Sequence, residues 1–141
     1  MPIGQKVFEI KWKGMMMTIK DVGEGSFTME MTAQGEFTGF GPAKGLKGSA
    51  MTTFLDTFHR GGVSTGTGQG ILTTADGDMI VYRTTFASRM KDGGKQAWIG
   101  PVTYMTESKK MEFLKGMVCI SEGEGESGSP EGKDTVYEWV P

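Results

Sequence analysis

Two acid–base candidates, Asp56 and His59, lie near the end of one extended stretch of this sequence. His59 is the only histidine in the chain, and Arg60 and two glycines follow it. A histidine that acts as a general base needs a carboxylate within hydrogen-bond reach to orient its ring. Asp56 lies too far along an extended chain to be assigned that role. We therefore expect His59 at the surface or at the rim of a site, where it remains a candidate ligand contact.

Charged residues on strands are candidates for function if their side chains face the interior of the protein. Burying an unpaired charge is costly, so a fold keeps one inside mainly where it serves a purpose. Arg83, next to Tyr82, could pair in the interior with one of the acidic residues on the predicted strands. Most of them are expected to face solvent, and the sequence leaves open which point inward. Five acidic residues fall on predicted strands: Glu9, Glu30, Asp56, Glu122 and Glu124.

Aromatic side chains could form the apolar lining of a binding site, and they could equally form an ordinary core. The candidates are Phe54, Phe58, Tyr82, Trp98, Tyr104 and Trp139. Together with Asp56, His59 and Arg83, all of these except Trp139 make up the predicted ligand-binding set. No catalytic residue can be assigned from the sequence.

Composition excludes several classes of function. With one cysteine, Cys119, and one histidine, one subunit cannot form a cysteine-based or two-histidine metal site, and we expect no metal or cofactor. Cys119 is expected to be a small buried apolar residue. The net charge is −2 without a basic patch, so no nucleic-acid partner is expected. No apolar run approaches the roughly 20 residues of a membrane span, and no signal-peptide core is evident. We therefore expect no membrane partner and a cytoplasmic location.

The glycine-rich run 66–70 has the sequence Gly-Thr-Gly-Gln-Gly, which superficially resembles a phosphate-binding loop. Such loops need a helix N-terminus after them to meet the phosphate. Here Ile71 and Leu72 continue the run as strand-forming residues, so these glycines are interpreted as bends in a strand. A nucleophile elbow of the Gly-x-Ser-x-Gly type does not occur in the sequence.

The elements that must position these side chains are strands. Residues 66–86 form two apolar, β-branched runs around Asp76-Gly77, the strongest short-range indication of a hairpin. Similar alternating runs recur along the chain, including 26–32 and 46–59. About eight strands at regular spacing predict one domain, residues 1–141, that folds as an all-β, antiparallel, up-and-down barrel. A short helical turn is predicted near 107–114, with Thr106 as its cap.

Four local boundaries follow from turn-forming residues. Residues 15–20 are predicted as a separate short strand after Gly14, and Gln34-Gly35 is predicted to turn the chain. Pro101 is predicted to interrupt a strand that runs from 96 to 105. The Gly/Ser/Glu-rich run 123–133 is predicted to be a mobile hairpin loop.

The run from Gly68 to Asp78 resembles the central hairpin of an uncharacterised family of small, allene-oxide-cyclase-like (calycin-type) barrels. The C-terminal half carries the same resemblance through the apolar turn at 111–114 and through Tyr137-Glu138-Trp139. The likeness covers roughly residue 61 to the C-terminus and is weaker before it. It implies an eight-stranded antiparallel barrel, with no established activity and no catalytic residues to transfer.

Three functions are compatible with such a barrel. The first is binding of a small, largely apolar molecule inside it, oriented by Asp56, Tyr82 and Arg83. The second is a cyclase or isomerase that uses the same cavity and preorganised polar groups. The third is a filled barrel that acts as a homo-oligomeric structural module. A core without a cavity would exclude the first two, and a buried, unpaired acid facing a cavity would favour the enzyme.

Overall fold

Eight antiparallel strands close into one barrel, in the computed structural model that describes residues 3–126, 129 and 131–141. Each strand pairs with the next one in the chain, and the last pairs with the first. The predicted all-β, up-and-down architecture is therefore confirmed. The strands are β1 (Ile3–Val22), β2 (Ser26–Gly39), β3 (Lys47–His59), β4 (Val63–Thr74), β5 (Met79–Met90), β6 (Lys95–Met105), β7 (Val118–Glu126) and β8 (Gly132–Trp139).

The β4–β5 hairpin follows its sequence pattern closely. Its turn contains Gly77 at a φ of 92°, a left-handed conformation that glycine adopts without steric cost. The Thr74 amide closes the turn by donating to the Asp78 carbonyl at 2.8 Å. Side chains alternate along β5, so that Ile80 and Tyr82 are buried inside the barrel while Met79, Val81 and Arg83 are exposed.

The apolar core fills the end of the barrel where β1 begins. Buried side chains from β1, β2, β4 and β5 meet there, and they include Phe8, Phe37, Leu72 and Ile80. The chain between β6 and β7 adds Met111 and Leu114, both completely buried. Buried apolar side chains therefore fill this end of the barrel.

A helical segment is present near 107–114 as predicted, but its bounds and its cap differ from the prediction. The segment is a 3-10 helix at Lys109–Gly116, and Met111 departs from helical geometry with φ −113° and ψ 17°. Thr106 is not its cap, because the helical segment begins only after Ser108; the Thr106 hydroxyl donates to the Met79 carbonyl at 2.9 Å and accepts from the Ser108 amide at 3.1 Å. Two shorter 3-10 turns lie at Gly41–Ala43 and Asp92–Gly94.

The predicted break after Gly14 and the predicted turn at Gln34-Gly35 are both wrong. Strands β1 and β2 run through these positions, and Gly35 pairs with Trp12 across the ladder. A Cβ at Gly35 would lie 2.1 Å from the Lys11 carbonyl oxygen. The glycine is there because the two backbones approach closely, and it does not mark a change of direction.

Pro101 does not interrupt β6. The β5–β6 pairing skips Gly100 and Pro101, whereas the β6–β7 pairing runs through both, with Pro101 opposite Ile120. Its carbonyl accepts a hydrogen bond from the Thr84 hydroxyl at 2.8 Å. The strand therefore continues past the proline.

Most of the predicted loop 123–133 belongs to strands. β7 extends to Glu126 and β8 begins at Gly132. Gly123, Gly125 and Gly132 pack against the Trp98 indole ring. A Cβ at Gly123 would lie 2.4 Å from the indole nitrogen. Glycine content in this run reflects ring packing within a strand pair. The part of the predicted loop at Ser127, Gly128 and Pro130 lies outside the described residues.

Candidate functional site

A cavity of about 290 Å³ lies inside the barrel beyond the packed core. It reaches the end opposite the core, where Met17 and Phe27 line it and are 44% and 41% exposed. Phe27 stacks on Phe58 there, with ring centroids 4.8 Å apart. The lining is largely aromatic and methionine-rich, and that composition suits a small apolar molecule.

At the cavity end of the barrel, β1 and β2 extend past β8. Among the described residues β1 pairs with β8 as far as Trp12 and with β2 as far as Val22, and β2 stays paired with β3 to its first residue, Ser26. The inward face of this extension carries methionines that line the cavity, among them Met15 and Met29. Their flexible side chains can adapt to different shapes at the entrance.

Three glycines of β4 create room for aromatic rings in the cavity wall. A Cβ at any of them would lie 2.4–2.6 Å from a ring carbon of a neighbouring strand, closer than packing allows. The glycine-rich run is thus strand structure, as predicted, and it also shapes the site. The facing pairs are Gly66 with Phe86, Gly68 with Phe54, and Gly70 with Tyr82.

Asp56 lines this cavity and is the exceptional polar group of its wall. The residue is 2% exposed, and among the described residues its Oδ1 atom has no hydrogen-bond partner. Burial raises the pKa of the carboxyl from its ordinary 3.8 to about 6, although the Ser64 hydroxyl and the charge of His59 act in the opposite direction. A carboxyl with such a pKa changes protonation near neutral pH, as acid–base groups in active sites do.

A row of polar side chains runs across the cavity wall beside Asp56. Gln96 donates from Nε2 to the Ser88 hydroxyl at 2.7 Å, and that hydroxyl hydrogen-bonds to the Ser64 hydroxyl. Ser64 lies diagonally across the β3–β4 ladder from Asp56, because Asp56 pairs with Gly66 and Phe58 pairs with Ser64. Ser64, Ser88 and Gln96 thus form a hydrogen-bonded row across β4, β5 and β6, and Asp56 of β3 lies next to this row on the same inner face.

A second buried acid, Asp134, is fully occupied with structure. It accepts hydrogen bonds from Trp12 Nε1 at 2.6 Å, Trp98 Nε1 at 2.5 Å and Ser121 Oγ at 2.9 Å. Burial raises the pKa of the carboxyl, and the three donors oppose that shift. These bonds hold two indole rings in place, so Asp134 shapes the cavity wall, whereas Asp56 lines the cavity and, among the described residues, has no hydrogen-bond partner at Oδ1.

Six of the eight predicted ligand contacts line the cavity: Phe54, Asp56, Phe58, Tyr82, Trp98 and Tyr104. Burial raises the pKa of Tyr82 and of Tyr104 above the ordinary value of 10, so both phenols stay protonated at neutral pH. Tyr82 can therefore donate a hydrogen bond as well as accept one.

The other two predicted contacts lie outside the cavity. Arg83 is exposed on the outer face, because Tyr82 beside it faces inward and strand side chains alternate. Arg83 therefore does not pair with an acid in the barrel interior. His59 is exposed, and its Nε2 atom lies 3.2 Å from the Thr65 hydroxyl. It contributes a nearby charge to Asp56 without orienting it.

Sequence reasoning missed part of the site. Asp134 was not considered, because it fell between the predicted loop 123–133 and the last predicted strand. Its alternation with Val136, which is also buried, is the pattern that could have identified it. Ser64 and Ser88 were missed because serine on a strand is unremarkable until the register brings two of them together. Cys119, by contrast, is buried as predicted, and burial raises the pKa of its thiol to about 12.

Within the described residues, no group of three or more histidine, cysteine, aspartate or glutamate side chains is placed to hold a metal ion. None of the helical segments in the described parts of the chain is long and apolar enough to cross a membrane.

No protein-family model and no curated protein matches this chain. Solved structures do, at low sequence identity. A protein of unknown function from Clostridium acetobutylicum has a TM-score of 0.81 and 11% identity, over 96% of this chain and 98% of that one. A beta-barrel-like protein from Acinetobacter baumannii has a TM-score of 0.77 and 13% identity, over 98% and 95%.

A third similar structure is described as an enzyme from Penicillium herquei. Its TM-score is 0.71 at 16% identity, and the match covers 98% of this chain and 96% of that one. At these identities the likeness shows a shared fold alone.

Proposed function

We propose that this barrel binds one small, largely apolar molecule in its interior, oriented by Asp56 and Tyr82. The observation that carries the proposal is the cavity of about 290 Å³, close to the small end of ligand pockets. Its wall combines several aromatic rings with some polar groups, among them Asp56, Ser88 and Gln96, a combination that is typical of such pockets. The cavity also counts against a fully packed barrel that works only through its surface.

Membership of the allene-oxide-cyclase-like barrels is part of the same proposal. The resemblance was carried by the central hairpin and by the C-terminal half, and the eight-stranded closed barrel fits it. Homo-oligomer formation remains a prediction from the sequence.

A matched pair of variants tests whether the cavity is the binding site. Ala33 is 1% exposed and lines the cavity, whereas Ala87 is exposed on the outer wall. Ala33→Phe should fill the cavity, while Ala87→Phe adds the same group outside. Titration with naphthalene, followed by tryptophan fluorescence, should show binding to wild type and Ala87→Phe and its loss in Ala33→Phe. Failure of naphthalene and related hydrocarbons to bind the folded wild type would refute the proposal.

A second candidate function is an isomerase or cyclase in which Asp56 moves a proton of the bound molecule. It is favoured by one specific observation: the buried carboxyl of Asp56 lines the cavity, and within the described part of the chain its Oδ1 has no hydrogen-bond partner. A pKa of about 6 lets this carboxyl act as a base at neutral pH. One structurally similar barrel is described as an enzyme, which shows only that the fold can host one.

Solvent exchange tests the enzymatic candidate without knowledge of the natural substrate. An apolar ketone with acidic C–H bonds, 2-tetralone, would be incubated with the protein in D₂O. If Asp56 acts as a base in the cavity, wild type should speed deuterium uptake next to the carbonyl, and Asp56→Asn and Ala33→Phe should not. Equal rates with wild type and Asp56→Asn would refute a catalytic role for this carboxylate in that chemistry.

A further inference from the structure

Strand β1 has an edge that is paired over only part of its length. The strand has 20 residues, and among the described residues β8 pairs with it as far as Trp12, whereas β2 pairs with its other edge as far as Val22. The other seven strands pair with both neighbours over most of their described length. An unpaired edge presents a row of backbone N–H and C=O groups that can pair with another strand. Residues 13–22 on the β8 side of β1 are called the free edge below.

The free edge carries the most exposed apolar side chains of the described chain. Of the large apolar residues described, the three most exposed all lie on it: Met16 at 73%, Val22 at 72% and Ile19 at 66%. Its centre, residues 14–19, reads Gly-Met-Met-Met-Thr-Ile and has neither a charge nor a proline. Proteins usually protect an open edge with charged residues, proline or a covering segment. The centre of the free edge has no such residue, so it is suited to pair with another strand.

We propose that the free edge pairs antiparallel with the free edge of a second copy of this chain, around a twofold axis at Met17. Such an axis places each residue opposite the one equally far on the other side of Met17. Met15 then lies opposite Ile19 of the second copy. Residues directly opposite in an antiparallel pair share a face, and Ile19 is opposite Met29 in β2. Met15, Met17 and Met29 all line the cavity, so the pairing joins apolar side chains on the inner face.

The charges at the ends of the free edge fit this register. Lys13 lies opposite Asp21 of the second copy, and the twofold axis repeats this attraction. Moving the axis to the point between Met16 and Met17 would set Lys13 opposite Lys20, and like charges directly opposite each other are destabilising. Within its own chain Lys13 lies 3.0 Å from Glu36, with both side chains well exposed. Such a surface pair is worth little, so Lys13 can also serve the interface.

The second copy would also contribute to the cavity entrance. Met17 lines the cavity where it reaches the open end of the barrel. In the paired arrangement Met17 lies opposite Met17 of the second copy, with the second copy's Met15 and Ile19 on either side. The apolar inner wall of one entrance would therefore continue into the other.

Charge reversal tests the register, with the association state of the whole protein measured by sedimentation or by chromatography with light scattering. Wild type should be a dimer. Lys13→Asp and Asp21→Lys should each weaken it about 10-fold or more, because each sets two like-charged pairs across the interface. The double variant restores opposite charges and should dimerise within about threefold of wild type. Two controls should leave the dimer unchanged: Lys47→Asp at the start of β3, and Glu36→Gln, which removes the intrachain partner of Lys13.

Hydrogen exchange of wild type provides a test that needs no variant. Backbone amides in 14–20 that point away from β2 should exchange more slowly in the dimer than after dilution to the monomer, because pairing protects them. Wild type that stays monomeric at about 100 μM, where even a weak interface would associate, would overturn the proposal. A dimer without this protection would also overturn it, as would one that survives both single charge reversals or that the double variant does not restore. Another surface would then hold the two copies together.

Discussion

The burial of Asp56 makes the stability of the fold depend on pH. The pKa of its carboxyl is about 6 in the folded protein, against an ordinary value of 3.8. Because the folded state holds the proton more tightly than the unfolded state, protonation of Asp56 stabilises the fold. This contribution is fully present below about pH 4 and is lost as the pH rises through about 6. A shift of this size corresponds to about 3 kcal/mol.

Asp56→Asn removes this titration and keeps the shape of the side chain. The free energies of unfolding of variant and wild type would be measured by urea denaturation at several pH values between 3.5 and 7.5. The variant should gain up to about 3 kcal/mol relative to wild type as the pH rises from 4 to 7. A difference between the two proteins that stays constant over this range would refute the assignment of Asp56 as a buried, weakened acid.

Asp76 provides a control of opposite sign. Its carboxylate accepts hydrogen bonds from Lys110 and Thr74, and these lower its pKa to about 2. A lowered pKa contributes stability above about pH 4 that is lost as the pH falls. Asp76→Asn should therefore lose stability relative to wild type as the pH rises, the reverse of Asp56→Asn. Slopes of the same sign for the two variants would contradict the reasoning.

Three further tests, two of packing with a control variant each and one of a buried hydrogen bond, use urea denaturation at pH 7. Gly70→Ala should destabilise by about 1–3 kcal/mol, because its Cβ would meet an aromatic ring at 2.4 Å, whereas Gly116→Ala, with open space around it, should be nearly neutral. Equal effects of these two changes would contradict the packing role of Gly70. Leu114→Ala should cost about 2–5 kcal/mol because the side chain is fully buried, and Leu55→Ala, 46% exposed, well under 1 kcal/mol. Trp98→Phe should cost roughly 1–3 kcal/mol by removing a donor to a buried carboxylate, and a loss below 0.5 kcal/mol would contradict that role.

The strands and the hairpin turn could be predicted from the sequence because both depend on local residue patterns. Asp76-Gly77 between β-branched runs determines its own turn, and the alternation from 26 to 32 identifies a strand without knowledge of its neighbours. Two errors in the strand boundaries arose where glycine had a second use. Gly35 and Gly123 suggested turns, but both lie in strands because a backbone or an indole ring approaches them closely.

The site could be predicted only in part, because register is a property of the closed barrel. The sequence placed Tyr82 and Arg83 on opposite faces but could not say which face was inside. Asp56 was among five candidate acids, and nothing local distinguished it from those that face solvent. Its connection to Ser88 depends on pairing across three strands, β3, β4 and β5, which no local pattern encodes.

Native mass spectrometry of the protein purified from its own organism shows whether the barrel interior carries a ligand. We expect that wild type carries a co-purifying small molecule, that Ala87→Phe retains it, and that the cavity-filling Ala33→Phe has lost it. The same spectrum gives the oligomeric state. Repeated spectra of folded wild type that show only the bare chain mass, or a bound molecule equally abundant on Ala33→Phe, would contradict the claim that the barrel interior is the binding site.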